Sequence, residues 1–356
     1  MEAAGDIGRE ASSRDGRRGA ARRRQRFDLR CGAPVTAPLQ ADVLESTAPQ
    51  GEGRSSSTVG RTPRQLAWRR LKQDKVALAG GVVVIVLLLV AVSASLLSKL
   101  EGQGPYTFHQ DLIDPTYSTP LGAAGGISGT HWLGVEPTTG RDLFSRMVYG
   151  AQVSLLIAVA ASLISVAIGA VLGAVAGYFG GGTDGVISRS MDVLLAFPLL
   201  LFAIALVAVA DQVNRKLLLI LIIGFFNWPY VGRIIRGQTI SLREREFVDA
   251  ARALGAGPGH VIFRELLPNL VAPILVYSTL IIPTNILFET SLSFLGVGIR
   301  PPEASWGQML NDASSGLYQI DPEYMIVPGV AVFITVLAFN LFGDGLRDAL
   351  DPRSNR

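Results

Sequence analysis

Metal, nucleophile and phosphate chemistry each need particular side chains at particular spacings, and this chain lacks each set in turn. His109, His131 and His260 do not fall at metal-ligand spacing. Lys72, Lys75, Lys99 and Lys216 are the only lysines, and none follows a glycine, so no Gly-Lys pair can cradle phosphates in a Walker A loop. A G-x-S-x-G elbow is missing, and the single cysteine, Cys31, allows no internal disulfide. The expectation is a chain with no catalytic residue, no metal and no cofactor of its own. Two kinds of polar feature remain. Asn285, Glu289 and Asn340 lie within or near apolar runs, where an ionisable group is a functional hypothesis by default. Asn285 and Glu289 are candidates for a substrate path. Glu289 is expected near the outer end of its span, within reach of water, with an outer-gate or helix-contact role as the alternative.

The second feature is Arg243 to Asn269, the one long polar interruption between the hydrophobic segments of the C-terminal half. Glu244 and Glu246 suit a helix N-terminus, which welcomes negative charge. Phe247, Ala250, Ala251 and Leu254 follow an i, i+3, i+4, i+7 spacing and predict one apolar stripe on a short helix. Gly255, Gly257, Pro258 and Gly259 stop it. A second helical piece over His260 to Leu267 is expected to run up to Pro268, where the next apolar segment starts. A small apolar stripe held off the bilayer needs a receiver. Three present themselves: the membrane surface, the protein's own helix ends, or the groove of a soluble partner.

These residues must be positioned by membrane-spanning helices. Of 356 residues 49% are hydrophobic and only 17% charged, and several apolar runs reach the roughly 20 residues that cross a bilayer. Six spans are predicted: about 76–97, 153–178, 191–210, 217–235, 267–287 and 324–342. Residues 1–60 are rich in Arg, Gly, Ala and Ser and are expected to be a disordered basic tail, with no nucleic-acid role. Residues 61–150 are read as a basic juxtamembrane helix with Trp68, the first span and a long outer loop. Residues 151–350 form the core with five spans, and 351–356 a C-terminal tail. Arginines crowd the N-terminal side and recur at Arg233, Arg236, Arg243, Arg245, Arg252 and Arg264. By the positive-inside rule both ends are cytoplasmic. Gly169, Gly173 and Gly177 predict close helix packing in lipid, and Pro198 a bend. Arg141 and Asp142 in the outer loop are expected to form a local ion pair.

Asp249-Ala250-Ala251, Gly255 three residues beyond the following Arg252, and Leu267-Pro268 resemble the EAA loop of bacterial ABC importer permeases. Asp249 stands where that family usually has Glu, and Glu265 where peptide-type members often have His. His131-Trp132-Leu133-Gly134, Gly140-Arg141-Asp142 and Ser145-Arg146 are similar to a segment of the oligopeptide/dipeptide/nickel permease family, with Val135-Glu136 replacing Thr-Asp. Met191-Asp192 through Phe197-Pro198, Leu292 to Gly296, Ser305-Trp306-Gly307 and Gly343 to Asp348 through Asp351-Pro352 continue the likeness from Arg61 to Arg353.

The resemblance implies an all-α, multi-pass protein of the bacterial inner membrane with the type I ABC importer permease fold, as the C-type half. It implies as partners a sister B-type permease, two cytoplasmic ATPase domains using ATP and Mg, an extracytoplasmic binding protein and the bilayer. Glu246, Phe247, Asp249, Ala250, Ala251, Leu254, Gly255, Leu267 and Pro268 would then form the ATPase-coupling loop. Short peptides are the implied substrate, with glutathione or nickel as alternatives. A rival reading, an ion-coupled secondary transporter, would want paired acids or broken helices at mid-membrane, and Glu289 alone answers to that.

Overall fold

The computed structural model describes residues 63–122, 124–210, 212–319 and 321–350. The tails expected over 1–60 and 351–356 lie outside them. Among the described residues the protein is helical, with only two isolated β-bridges, Ile113 to Pro120 and Val135 to Asp142.

A short basic helix, α1 (Pro63–Gln73), leads into α2 (Lys75–Val92) and α3 (Ala94–Glu101). Asp74 caps α2, its carboxylate accepting from the Val76 and Ala77 N–H groups at 3.0 Å each, which satisfies two of the orphan donors of a helix start. Gly102, at φ +86°, ends α3 in the left-handed conformation glycine adopts without strain. The outer loop follows. Asp142 then caps α4 (Leu143–Phe179), accepting from Ser145 N–H at 2.7 Å. Span two therefore starts ten residues earlier than its hydropathy predicts. Those outer turns bury Arg146 and Ser145 in protein, so the apolar signal fails there although the helix does not.

Next come α5 (Gly181–Ala196) and α6 (Leu199–Val209), separated at Pro198 and bent by 82°. The expected bend is present, and what reads in sequence as one span is a broken pair. α7 (Arg215–Leu242) follows, capped by Asn214, and then α8 (Glu246–Ala253). Two single-turn helices, α9 (Pro258–His260) and α10 (Leu267–Asn269), flank a π-wound segment, Val261–Leu266. The chain closes with α11 (Val271–Phe294), the outer helix α12 (Trp306–Ser314) and α13 (Glu323–Leu350). Among the described residues five helices are long and apolar enough to cross a membrane, and six spans result if the bent pair counts as one.

The glycine ladder sets the central contact. A Cβ on Gly169 would stand 2.8 Å from the Trp228 carbonyl oxygen, one on Gly173 2.5 Å from that of Gly232, and one on Gly177 2.8 Å from that of Arg236. Without those side chains α4 and α7 meet backbone to backbone, which is how small residues drive association where lipid offers no hydrophobic contrast. The two helices also share a cluster at the cytoplasmic end, Ala174, Val231 and Ile235, with Val261, Ile262, Leu266 and Leu270. That cluster is the seat of the candidate site.

Candidate functional site

The polar stretch folds as the sequence predicts in type, with a different division of its faces. Glu246 opens α8 and places its carboxylate in the first turn together with Asp249. Val248 is wholly buried, with Phe247 and Ala251 packed beside it on the cytoplasmic cluster. Ala250 and Ala253 face outward, and Leu254 is 90% exposed. The expected single stripe is thus split. Phe247 and Ala251 anchor α8, while Ala250 and Leu254 are presented. The inward anchor the stripe missed is Val248, one residue from Phe247, because an eight-residue helix lying on a bundle buries positions i, i+1 and i+4. The β-branched side chain of Val248 was the available signal.

Two further contacts tie α8 and the chain entering it to the bundle, and a third pair lies within α8 itself. The Arg252 guanidinium sits 5.2 Å from the Tyr178 ring centroid, at cation–π range. Arg243 Nη1 donates to the Gly177 carbonyl at 3.1 Å, so the end of the glycine ladder also receives the start of the loop. Arg252 Nη1 approaches Asp249 Oδ1 at 3.3 Å, an exposed pair worth little to stability.

At the end of α8 the Gly255 N–H donates to the Arg252 carbonyl at 2.9 Å and the Ala256 N–H to that of Ala251 at 3.0 Å. This is a Schellman closure, and it requires the left-handed residue that Gly255 supplies at φ +87°. A Cβ at Gly255 would meet nothing within 4 Å. Within this chain, then, its glycine answers to φ and not to crowding.

The return limb contains the expected second helical piece, but it is wound wide. Pro268 has no N–H and its ring crowds the carbonyl four residues back. The π turns of Val261–Leu266 relieve that crowding. Leu267 packs on the cluster and Pro268 is exposed. The break into α11 falls at Leu270, φ −93° and ψ 0°, so the span begins at Val271 and not at Leu267.

The membrane candidates lie elsewhere. Asn285 is fully buried. Its Oδ1 accepts from Asn227 Nδ2 at 2.7 Å, and its own Nδ2 donates to Ser162 Oγ at 2.8 Å. The chain of amides joins α4, α7 and α11. A groove of about 450 Å³ is lined by Asn227, Tyr230, Tyr277, Thr284 and Phe288, while Asn285 stands behind it. Glu289 is also fully buried, among the hydroxyls of Ser293, Ser154, Ser305 and Thr290, with Ser293 Oγ donating at 2.8 Å. The water expected near it is excluded, because the loop after α11 folds back over the end of that helix. Ile299 N–H donates to Ser293 Oγ at 3.1 Å.

The outer loop corrects another expectation. Arg141 does not pair with Asp142. Its Nε donates to Glu136 Oε2 at 2.7 Å, and Glu136 also receives Arg146. Arg146 Nη2 donates to Gln308 Oε1 at 2.8 Å. Asp142 instead meets His131 Nδ1 at 2.8 Å while capping α4. Adjacent side chains in an extended segment point to opposite sides, and the bridge from Val135 to Asp142 brings Glu136 to Arg141. Beside this network, burial and then the neighbouring Asp142 carboxylate push Glu101 up to about 7, against the Trp132 N–H that donates to it. Burial likewise raises Asp312.

Residues 169–356 match the family model described as the binding-protein-dependent transport system inner membrane component. Residues 62–120 match the N-terminal TM domain of oligopeptide transport permease C. The chain is 39% identical over 293 residues to the glutathione transport system permease protein GsiD of Pectobacterium atrosepticum, covering 82% of this chain and 92% of that protein. It is 40% identical over 293 residues to GsiD of Escherichia coli, covering 82% and 91%. It is also 40% identical over 316 residues to the dipeptide transport system permease protein DppC of Alkalihalophilus pseudofirmus, covering 89% of this chain and 97% of that protein.

Proposed function

Because the chain belongs to the family of binding-protein-dependent transport system inner membrane components, we propose that it forms half of a peptide-conducting pore and takes its drive from ATPases docked on α8. As a member it is a multi-pass permease subunit of a bacterial ABC importer in the inner membrane. The ATP and Mg belong to two cytoplasmic ATPase domains, a sister permease completes the pore, and an extracytoplasmic binding protein delivers the substrate. The arginine distribution supports cytoplasmic ends for both termini, which puts α8 on the ATPase side.

The observation that carries the coupling assignment is the divided α8. Its inner face is fixed to α4, α7 and the base of α11 through one apolar cluster, and its outer face presents Asp249, Ala250 and Leu254. An ATPase that pulls on that outer face moves the helices on its inner face. Glu246 and Asp249 add negative charge, Gly255 shapes the exit of the helix, and Leu267 and Pro268 carry the motion into α11. Asn285 and Glu289 act on the substrate path as supports, Asn285 by orienting Asn227 in the groove and Glu289 by holding the outer end of α11.

Short peptides are the proposed cargo, and glutathione, itself a peptide, is the second reading, favoured by the relatives named for it. The test is uptake by the complete complex in proteoliposomes, with labelled dipeptide and labelled glutathione in competition. Gly255→Glu is expected to leave the complex assembled while abolishing ATP-driven uptake. Gly255→Asn, which tolerates the left-handed conformation, retains it. Full uptake by Gly255→Glu would refute docking at this face.

A further inference from the structure

α5 lies obliquely to the bundle. An 82° bend separates it from α6, so the two cannot both run along the membrane normal. Its Asp184 and Asp192, about 12 Å apart at helical rise, pair with Arg236 and Arg233 of α7, which are only three residues apart. α5 therefore crosses the cytoplasmic end of α7 steeply. Beneath its opposite face opens a groove of about 780 Å³, walled by Ile168 and Leu172 of α4, Phe225 of α7, and Val186 and Val193 of α5, with Arg189 at its edge. That volume is within the roughly 300–1,000 Å³ of sites that take small organic ligands. Val186 is 69% exposed and Val193 50%, so the apolar wall is uncovered. Arg189 is exposed, and among the described residues it has neither hydrogen bond nor ion pair, since the two acids of its own helix are already taken.

We propose that this groove binds an anionic phospholipid of the cytoplasmic leaflet, its phosphate on the Arg189 guanidinium and one acyl chain along the Ile168–Phe225 wall. The chemistry is complementary at both ends. The apolar wall offers nothing to a polar ligand, and a lone guanidinium beside it selects an amphiphile with a negative head. Basic pockets between spans on the cytoplasmic side hold lipid headgroups for this reason. A bound lipid would lock α5 against α4 and α7 next to the glycine ladder, and so would stiffen the support on which α8 rests. The inference uses the proposed orientation of the helices and is independent of what is transported.

The full-length chain in its complex, delipidated and titrated with phosphatidylglycerol or phosphatidylethanolamine, is read by native mass spectrometry. Wild type is expected to retain phosphatidylglycerol preferentially. Arg189→Gln lowers that retention roughly fivefold, the equivalent of the ~1 kcal/mol one basic side chain adds near an anionic headgroup, and leaves phosphatidylethanolamine unchanged. Arg189→Lys recovers most of the loss. Val193→Trp, at a half-exposed site, blocks the wall and lowers retention of both lipids. Equal retention of the two lipids by wild type, or an Arg189→Gln protein indistinguishable from it, overturns the proposal. So does a photocrosslinker at Val186 that captures another polypeptide in the assembled complex in place of lipid.

Discussion

At the outer end, Glu136, Arg141, Asp142 and Arg146 are all buried, and each meets its partner inside this chain. At the cytoplasmic end, Glu246, Asp249 and Arg252 are exposed, and their contacts within the chain are loose. The same residue types serve opposite ends. Buried charges with internal partners fix a shape, because separating them leaves an uncompensated ion in a poor solvent. Exposed charges on a firmly seated helix leave their energy to be realised by another molecule. The outer loop is therefore the part whose mutations should read out as stability, and α8 the part whose mutations should read out as transport.

The largest effect expected from this contrast is at Glu136. Glu136→Ala strands Arg141 and Arg146 together and should destabilise the outer loop by about 3–5 kcal/mol, the usual cost of removing one member of a buried pair. Thermal unfolding in detergent measures it. Glu136→Asp keeps the charge and should recover part of the loss. A Glu136→Ala protein as stable as wild type would mean that the outer network is solvated and the contrast false.

Next in size is the inner face of α8. Val248→Ala removes two methyl groups from the cytoplasmic cluster and should loosen the helix by roughly 1–2 kcal/mol, given ~0.8 kcal/mol per buried CH₂ and a residual cavity. Limited proteolysis at residues 243–257 should rise while the outer loop stays protected. Uptake should fall further than the stability loss alone accounts for, because a loose helix transmits little force. Parallel losses in both would place Val248 with the outer residues, as a purely structural one.

These two regions also show what was legible in the sequence. The number of spans (six, with the bent pair counted as one), the glycine ladder and the bend at Pro198 were readable because each is a local property of composition, spacing or a single residue type. The family resemblance was readable because its motifs are short and ordered, and the comparisons bear it out. The pairing of Arg141 was not, since Glu136 reaches it only through a backbone bridge that returns the chain on itself. Glu289 lies near the outer end of its span as expected, but its burial was not legible, for the same reason. Its hydroxyl neighbours Ser154 and Ser305 are more than a hundred residues apart, and no periodicity brings them together. The apolar stripe of α8 was half right: helical spacing gives a stripe, but which edge of it faces the bundle depends on the angle at which the helix lies.

A pH-dependent effect between about pH 4.5 and 7 should be confined to the outer side. Glu101 titrates near 7 when folded, against 4.5 as an ordinary carboxyl, so the folded chain holds this proton more tightly than the unfolded chain does. Its contribution to stability is complete below about pH 4.5 and is lost as pH rises through about 7. Hydrogen exchange over residues 128–142 should accordingly speed up across that window, and Glu101→Gln should flatten the profile. Exchange over residues 243–257 should not follow it. A common pH dependence would couple the two ends and erase the distinction between them.

The smallest stability effect, and the sharpest test of the comparison, is at Asp249. Asp249→Asn breaks only an exposed contact 3.3 Å long with Arg252, and such pairs contribute about 0–1 kcal/mol. Unfolding should therefore be unchanged within experimental scatter. The charge it removes sits on the exposed side of α8 beside Ala250, where a docked ATPase would meet it. ATP hydrolysis stimulated by substrate should fall several-fold in the assembled complex although the chain is as stable as before. Asp249→Glu, one methylene longer, should preserve stimulation if the partner reads the charge, and lose it if the partner's cleft is fitted to the shorter side chain. An Asp249→Asn complex that is stable and also fully stimulated would show that the exposed charges of α8 are solvated surface after all. The force would then pass through Ala250 and Leu254 alone.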